Sequence, residues 1–257
     1  MMKNHLFELL AKVPGYRQLR DCRDRWNFRA ARAGDAGRGA FYGQFIRHGD
    51  QVFDVGANMG NRSRVFLDLG ARVVAFEPQK LCVVYLGNVL RGEPRFELVR
   101  KALGAEEGGA EMQISNAHTI SSLSPEWISA TRQSGRFSAF TWDRTERVDI
   151  TTLDHAIAAY GRPAFIKIDV EGYEYDVLSG LSAPIDHLSI EFTFEFLANT
   201  YRCIDHIKSI AADARFQYSI GESMEFVLDD WVSAGCMREI MAGFHQNEAG
   251  DIYIRCC

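Results

Sequence analysis

Acidic residues at the ends of apolar runs, and one turn with two glycines, are the parts of this sequence that could do chemistry. Asp54 ends the run VFD and leads into DVGANMGNRS. Gly56 and Gly60 allow such a backbone to turn tightly and approach a ligand closely. A helix starting there points its free N–H groups at that ligand. Glu77 closes a second apolar run, RVVAF, roughly 20 positions later, where an acid can accept hydrogen bonds from both hydroxyls of a ribose. An adenine-ribose cofactor is the usual occupant of a crevice of this kind. The glycine spacing and the charge narrow the choice. Dinucleotide sites prefer GxGxxG, whose amides cradle a pyrophosphate, whereas this turn reads GANMG and carries Asp54 just before it. A carboxylate there repels a pyrophosphate and suits S-adenosylmethionine, which has an ammonium, a sulfonium and no phosphate.

On that reading Asp54, Gly56, Ala57, Asn58 and Gly60 line the methionine end of the cofactor. Asn58 offers its amide to the cofactor carboxylate or stabilises the turn. Ser63 contacts the same carboxylate or caps the helix. Glu77 holds the ribose, and Ala102 and Leu103 flank the adenine or pack in the core. A second acidic group follows the run FIKI. Asp169 is expected at the cofactor, and Glu171 and Glu191 are candidate bases for an acceptor hydroxyl. His118, in a polar stretch that could fold over the site, is a third candidate. His155, in LDHAIAAY, reads as a surface histidine on a helix, and Glu174 as an acid in a first helical turn. Close acids can also bind a divalent cation, but no ligand set is complete by spacing, so no metal is expected.

These residues need a scaffold that brings strand ends together. Strands are predicted at 52–55, 72–76, 96–99, 165–170 and 187–192, with helices over Gly60–Leu69, Leu81–Leu90 and from about Tyr173. Short apolar strands separated by helices mean a parallel sheet covered on both faces. Between about 105 and 150 that rhythm breaks into a polar insertion containing QISNAHTISSLS. A helix near 203–213 and strands near 216–220 and 251–255 follow. Residues 1–49 read as a helical extension, with helices around Leu6–Val13 and Tyr16–Ala31, a break at Pro14-Gly15 and a loop over Gly34–Gly39. Residues 50–257 form the main domain.

The segments VFDVGANMGNRS, AFEP, KALG and above all IKIDVEGYEYDVLSG resemble the FkbM family of methyltransferases over roughly residues 50–195. The resemblance implies an α/β, Rossmann-like class I methyltransferase fold, a seven-stranded, mostly parallel sheet with flanking helices and an antiparallel last strand. It also implies O-methylation of a sugar, glycan or hydroxylated natural product. A carboxyl or nitrogen acceptor stays open, while a NAD-dependent oxidoreductase would need the missing GxGxxG. Composition agrees with an enzyme. Apolar residues make up 47% of the 257, enough for a large core. A net charge of −5 argues against nucleic acid as partner and leaves a small-molecule or glycan acceptor. The arginines among the first fifty residues, Arg17 to Arg38, read as a solvated face, with an anionic partner or membrane surface as the alternative. The six cysteines form no CxxC pair and read as free thiols. No apolar run reaches the ~18 residues of a membrane span, and the start is a poor signal peptide, so a cytoplasmic enzyme is expected. The oligomeric state is open.

Overall fold

A computed structural model describes residues 22–28, 36–245 and 248–256. Its centre is an eight-stranded sheet, in the order β10-β9-β11-β8-β7-β1-β2-β3. Strands β1 (Gln51–Val55), β2 (Arg72–Phe76), β3 (Phe96–Val99), β7 (Phe165–Ile168) and β8 (His187–Thr193) run parallel. Strand β11 (Ala249–Arg255) lies antiparallel between β8 and β9 (Arg215–Ile220). Seven strands give the expected pattern, and β10 (Val232–Ser233) adds a two-residue eighth at the edge. The strand order reverses at β1, whose neighbours are β2 and β7. Ligands of open α/β sheets bind outside the carboxyl ends of the strands at such a switch point.

The central strands are apolar on both faces because helices cover both. All four residues of β7 are buried. On one face, α1 (Ala36–Tyr42) and α2 (Asn61–Asp68) pack Tyr42 and Phe66 against Phe165 and Tyr253. On the other, Ile166, Ile168 and Ile190 meet α5 (Leu153–Tyr160), α6 (Glu174–Ser179), α7 (Leu197–Ile210) and α8 (Ala234–Met241). Helix α3 (Lys80–Val89) follows β2.

The structure departs from the sequence reading in several places. Helix α1 begins at Ala36, inside the expected Gly-rich loop. Burial of Phe41 and Tyr42 outweighs the weak helix propensity of glycine. Helix α7 starts at Leu197, earlier than expected. The polar insertion is ordered: β4 (Ala102–Leu103), β5 (Gly108–Ser115) and β6 (Trp142–Thr151) form a separate three-stranded sheet, and α4 (Pro125–Ser134) packs beside it. One face of that sheet is wet, so its strands carry few consecutive apolar residues. Residues 22–28 are helical, within the expected second helix; the first helix, the Pro14-Gly15 break and the rest of the second lie outside the described residues. Among the described residues no helix is long and apolar enough to cross a membrane.

Candidate active site

The turn after β1 is tied to both neighbouring strands. The N–H groups of Gly56 and Ala57 donate to the Phe76 carbonyl of β2. Gly56 has φ +80°, and a Cβ on it would lie 1.9 Å from the Asp169 carbonyl oxygen just past β7. Only glycine lets the two strand ends come this close. Asp54 is buried behind the turn, where it accepts a hydrogen bond from the Ser63 hydroxyl. Burial lifts its pKa to about 6, opposed by that hydrogen bond and by Lys167. Ser63 is therefore neither a helix cap nor part of the cleft wall. Ala57 is buried as well, and Gly60 packs against Leu86.

In front of the turn lies a cleft whose walls include Gly56, Asn58, Glu77, Ala102, Leu103 and Asp169. Leu103, Met112 and Val170 make part of it apolar. Three of its lining residues, Glu77, Asp169 and Glu171, carry carboxylates, and no lining residue is Lys, Arg or His. The Glu77 carboxylate is held by two backbone donors at 2.7 Å, Asn58 N–H on Oε2 and Gln79 N–H on Oε1. Burial raises its pKa to about 7 against the pull of those amides. A carboxylate so fixed keeps lone pairs with which to accept from a diol.

The insertion forms the rest of the wall and clamps both strand-end turns. Its His118 carbonyl accepts from the side-chain amides of Asn58 and Gln79, each at 3.0 Å. The His118 ring Nδ1 lies 2.7 Å from Asn58 Oδ1, so it donates there as Nδ1–H. Burial alone lowers the His118 pKa. The structure thus places His118 on the β1 and β2 turns and not with the candidate bases Glu171 and Glu191, and it occupies the Asn58 amide that the sequence reading offered to a cofactor carboxylate. At the other turn the Ser122 hydroxyl donates to the Glu171 carbonyl at 2.6 Å. Gly172, at φ +91°, lies so close to Trp127 that a Cβ would come within 2.3 Å of that side chain.

That second turn carries the acids. Oxygens of Asp169, Glu171 and Glu191 lie within 4.8 Å of one another, and Glu171 itself sits at φ +54°. Carboxylates this close cannot all ionise cheaply. Burial and then the Asp169 charge push Glu171 and Glu191 well above the ordinary carboxylate range. Asp169, only half-buried, goes the other way: desolvation pushes it up, but the Lys167 ammonium 3.1 Å away draws it below the ordinary range. Glu174 is structural: it accepts from the Val170 and Gly172 amides and from Asn199. Burial lifts its pKa to about 7. His155 is exposed on α5 and paired with Glu107 at 3.0 Å, outside the cleft. The sequence reading passed over Lys167, Gln79 and Arg136, the last of which pulls Glu171 downward from the insertion. Lys167 alone left a trace, as a charge inside an apolar run.

A family model described as the methyltransferase FkbM domain matches residues 54–219. No curated protein matches the sequence. Among solved structures, similarity extends to the precorrin-6y C5,15-methyltransferase of Geobacter metallireducens, at 9% identity and TM-score 0.45, covering 87% of this chain and 88% of the other. An rRNA methylase from Streptococcus thermophilus is 11% identical at TM-score 0.42, with 85% and 93% covered. A protein of Streptococcus mutans described as a methyltransferase, solved with SAH, is 9% identical at TM-score 0.42, with 86% and 96% covered.

Proposed function

Because this chain belongs to the FkbM methyltransferase family and is an S-adenosylmethionine-dependent methyltransferase, we propose that its acceptor atom is a hydroxyl oxygen, on a sugar, glycan or hydroxylated natural product. The carrying observation is the cluster of Asp169, Glu171 and Glu191, of which Asp169 and Glu171 line the cleft and Glu191 lies within 4.8 Å of them. A hydroxyl is a weak nucleophile that benefits from a base, and two of these acids have raised proton affinity. An acceptor carboxylate would need no base and would be repelled by the cluster. Nucleic acid fits poorly for the same reason, since its phosphates would meet three carboxylates and a chain of net charge −5. The described cysteines are free thiols, which supports a reducing, cytoplasmic setting.

The cleft suits the cofactor on charge alone: carboxylates and no basic side chain line it, as a cationic ligand without phosphate requires. Glu77 would take the ribose hydroxyls, Leu103 and Met112 the adenine, and Gly56 and Asp169 the methionine end. Asp54, Ala57, Gly60 and Ser63 would act from behind, by shaping the turn. When bound, S-adenosylmethionine supplies an electrophilic methyl on sulfur. The chain's own task is to place the acceptor oxygen in line with it. With S-adenosylmethionine bound, Glu171 or Glu191 would take the acceptor hydroxyl's proton as the methyl passes from sulfur to oxygen. S-adenosylhomocysteine is left.

The test has two parts. S-adenosylhomocysteine should raise the melting temperature of the purified protein while NAD does not, since a ligand bound only by the native state stabilises it. Labelled methyl should then reach polyhydroxylated acceptors and not rRNA, amines or carboxylic acids. A shift with NAD only, or label on nucleic acid or nitrogen, would overturn the reading.

A further inference from the structure

Lys167 lies within β7, a strand buried along its whole length. Strands buried on both faces normally read as unbroken apolar runs. Here an ammonium interrupts the run with a side chain only 1% exposed. Lysines are almost never buried to this degree unless paired. Lys167 Nζ donates to Asp169 Oδ2 at 3.1 Å and to Asp251 Oδ1 at 2.9 Å. Asp251 comes from β11, where it pairs in register with Glu191 of β8. It is itself buried, beside the Tyr253 hydroxyl. The arrangement is not explained by stability, because a buried ion pair can often be replaced by apolar residues of equal volume at no loss.

We propose that Lys167 is a positioning residue of the methyl-transfer site: anchored from behind by Asp251, it holds Asp169 as a fixed anion at the cleft mouth and leaves Glu171 and Glu191 to receive the acceptor's proton. This rests on the reaction proposed above. The geometry gives the reason. Of the three clustered acids, Lys167 forms an ion pair with Asp169 alone. Three like charges within 4.8 Å cannot all persist, so the acid with its own cation keeps its charge. The surrounding groups agree. Asp169 is drawn down by Lys167 and then Arg62 of α2. Glu171 meets Asp169 and Glu174, with Arg136 and Lys167 opposing. Glu191 meets Asp169, Glu171 and Glu174, with Lys167 opposing. Lys167 itself faces Asp169, Asp251, Tyr42 of α1 and Arg62. The anion at Asp169 raises the proton affinity of the pair beside it, which is what a base needs.

The experiment compares the full-length wild type with K167M and with K167M/D251N. The double variant removes the second buried charge as well, and so keeps the comparison usable if K167M fails to fold. Carboxyl-carbon NMR of protein labelled at Asp and Glu reads each acid directly. In the wild type, Asp169 should stay ionised from about pH 5 to 9, and in the double variant it should titrate at least about one unit above the ordinary Asp value. With methyl transfer as readout, kcat should fall at least about tenfold. The acid limb of kcat/KM should move to higher pH, further in K167M than in K167M/D251N, because losing the ammonium nearest the cluster makes its acids harder to ionise while losing the more distant Asp251 charge offsets this in part. Asp169 titrating together with Glu171 and Glu191 in the wild type, or an unmoved acid limb in a folded variant, overturns the proposal. A wild type that moves no methyl group counts against the reaction instead, and the carboxyl titration still decides whether Lys167 fixes Asp169.

Discussion

Glu77 and Glu171 follow β2 and β7, the strands on either side of β1, and both are driven upward in pKa by burial. They are held in opposite ways. Each oxygen of Glu77 accepts a backbone N–H at 2.7 Å, so fixed dipoles await its charge. Glu171 is surrounded by other carboxylates, Asp169 and Glu174, and sits on a left-handed residue kept in place by Ser122. An acid held by two backbone amides has its oxygens fixed in place to accept from a ligand. An acid crowded by like charges is suited to take up and release a proton. The same sheet edge thus carries an amide-held carboxylate on one side of the switch point and a crowded group of acids on the other.

The sharpest way to break this contrast is to neutralise the titrating side. Glu171→Gln or Glu191→Gln, whichever is the base, should lower turnover roughly 10²–10⁴-fold with near-normal S-adenosylhomocysteine affinity by calorimetry. Affinity falling as far as turnover would erase the distinction. On the binding side, Glu77→Ala should weaken S-adenosylhomocysteine about ten- to a hundredfold, since hydrogen bonds to a charged group contribute roughly 1.5–3 kcal/mol. Turnover at saturating cofactor should change much less.

The pH response sharpens the comparison further. With the Glu77 pKa raised to about 7, the ligand-free protein is mostly protonated there at pH 6 and mostly ionised at pH 8. Affinity for S-adenosylhomocysteine should therefore rise up to about tenfold over that interval, and Glu77→Ala should flatten the rise. Stability of the ligand-free protein runs the other way. Asp54, Glu77 and Glu174 have folded pKa values of about 6, 7 and 7, all above their unfolded ones. Between the two values the native state binds more protons, so stability is lost as pH rises. Melting temperature measured from pH 5 to pH 8 should fall by a few degrees, and a rise would show these acids to be ionised and compensated. The smallest effect is expected for His118→Ala. It removes the ring contact to Asn58 and leaves the carbonyl contacts, so affinity should drop severalfold and turnover hold. A turnover loss near that of Glu171→Gln would restore His118 as a base.

Much of the framework was legible because the parallel strands are short, apolar and punctuated by acids. The predicted strands at 52–55, 72–76 and 96–99 coincide closely with β1, β2 and β3. The convergence of Asp169, Glu171 and Glu191 was legible for the same reason, since acids at carboxyl strand ends share an edge. The insertion was not legible. Only part of β5 is buried, and the pairing of β5 with β6 spans a helix that carries no strand signal. Without that register, nothing in QISNAHTISSLS said which turn His118 would reach. Ser63 was misjudged because a serine at a helix start looks like a cap, whereas its partner lies beneath it in the strand. Lys167 was invisible as a partner because Asp251 lies 84 positions further on.

That separation also sets an order of events during synthesis. Among the described residues β11 follows every other strand, yet it lies in the sheet between β8 and β9. At about 5–20 residues per second, Lys167 waits several seconds on the ribosome for its second counter-ion. Until then the edge of β8 that β11 will cover is unpaired and open to a strand from another chain. The paired charges of this site therefore depend on a strand that is made 84 positions after Lys167.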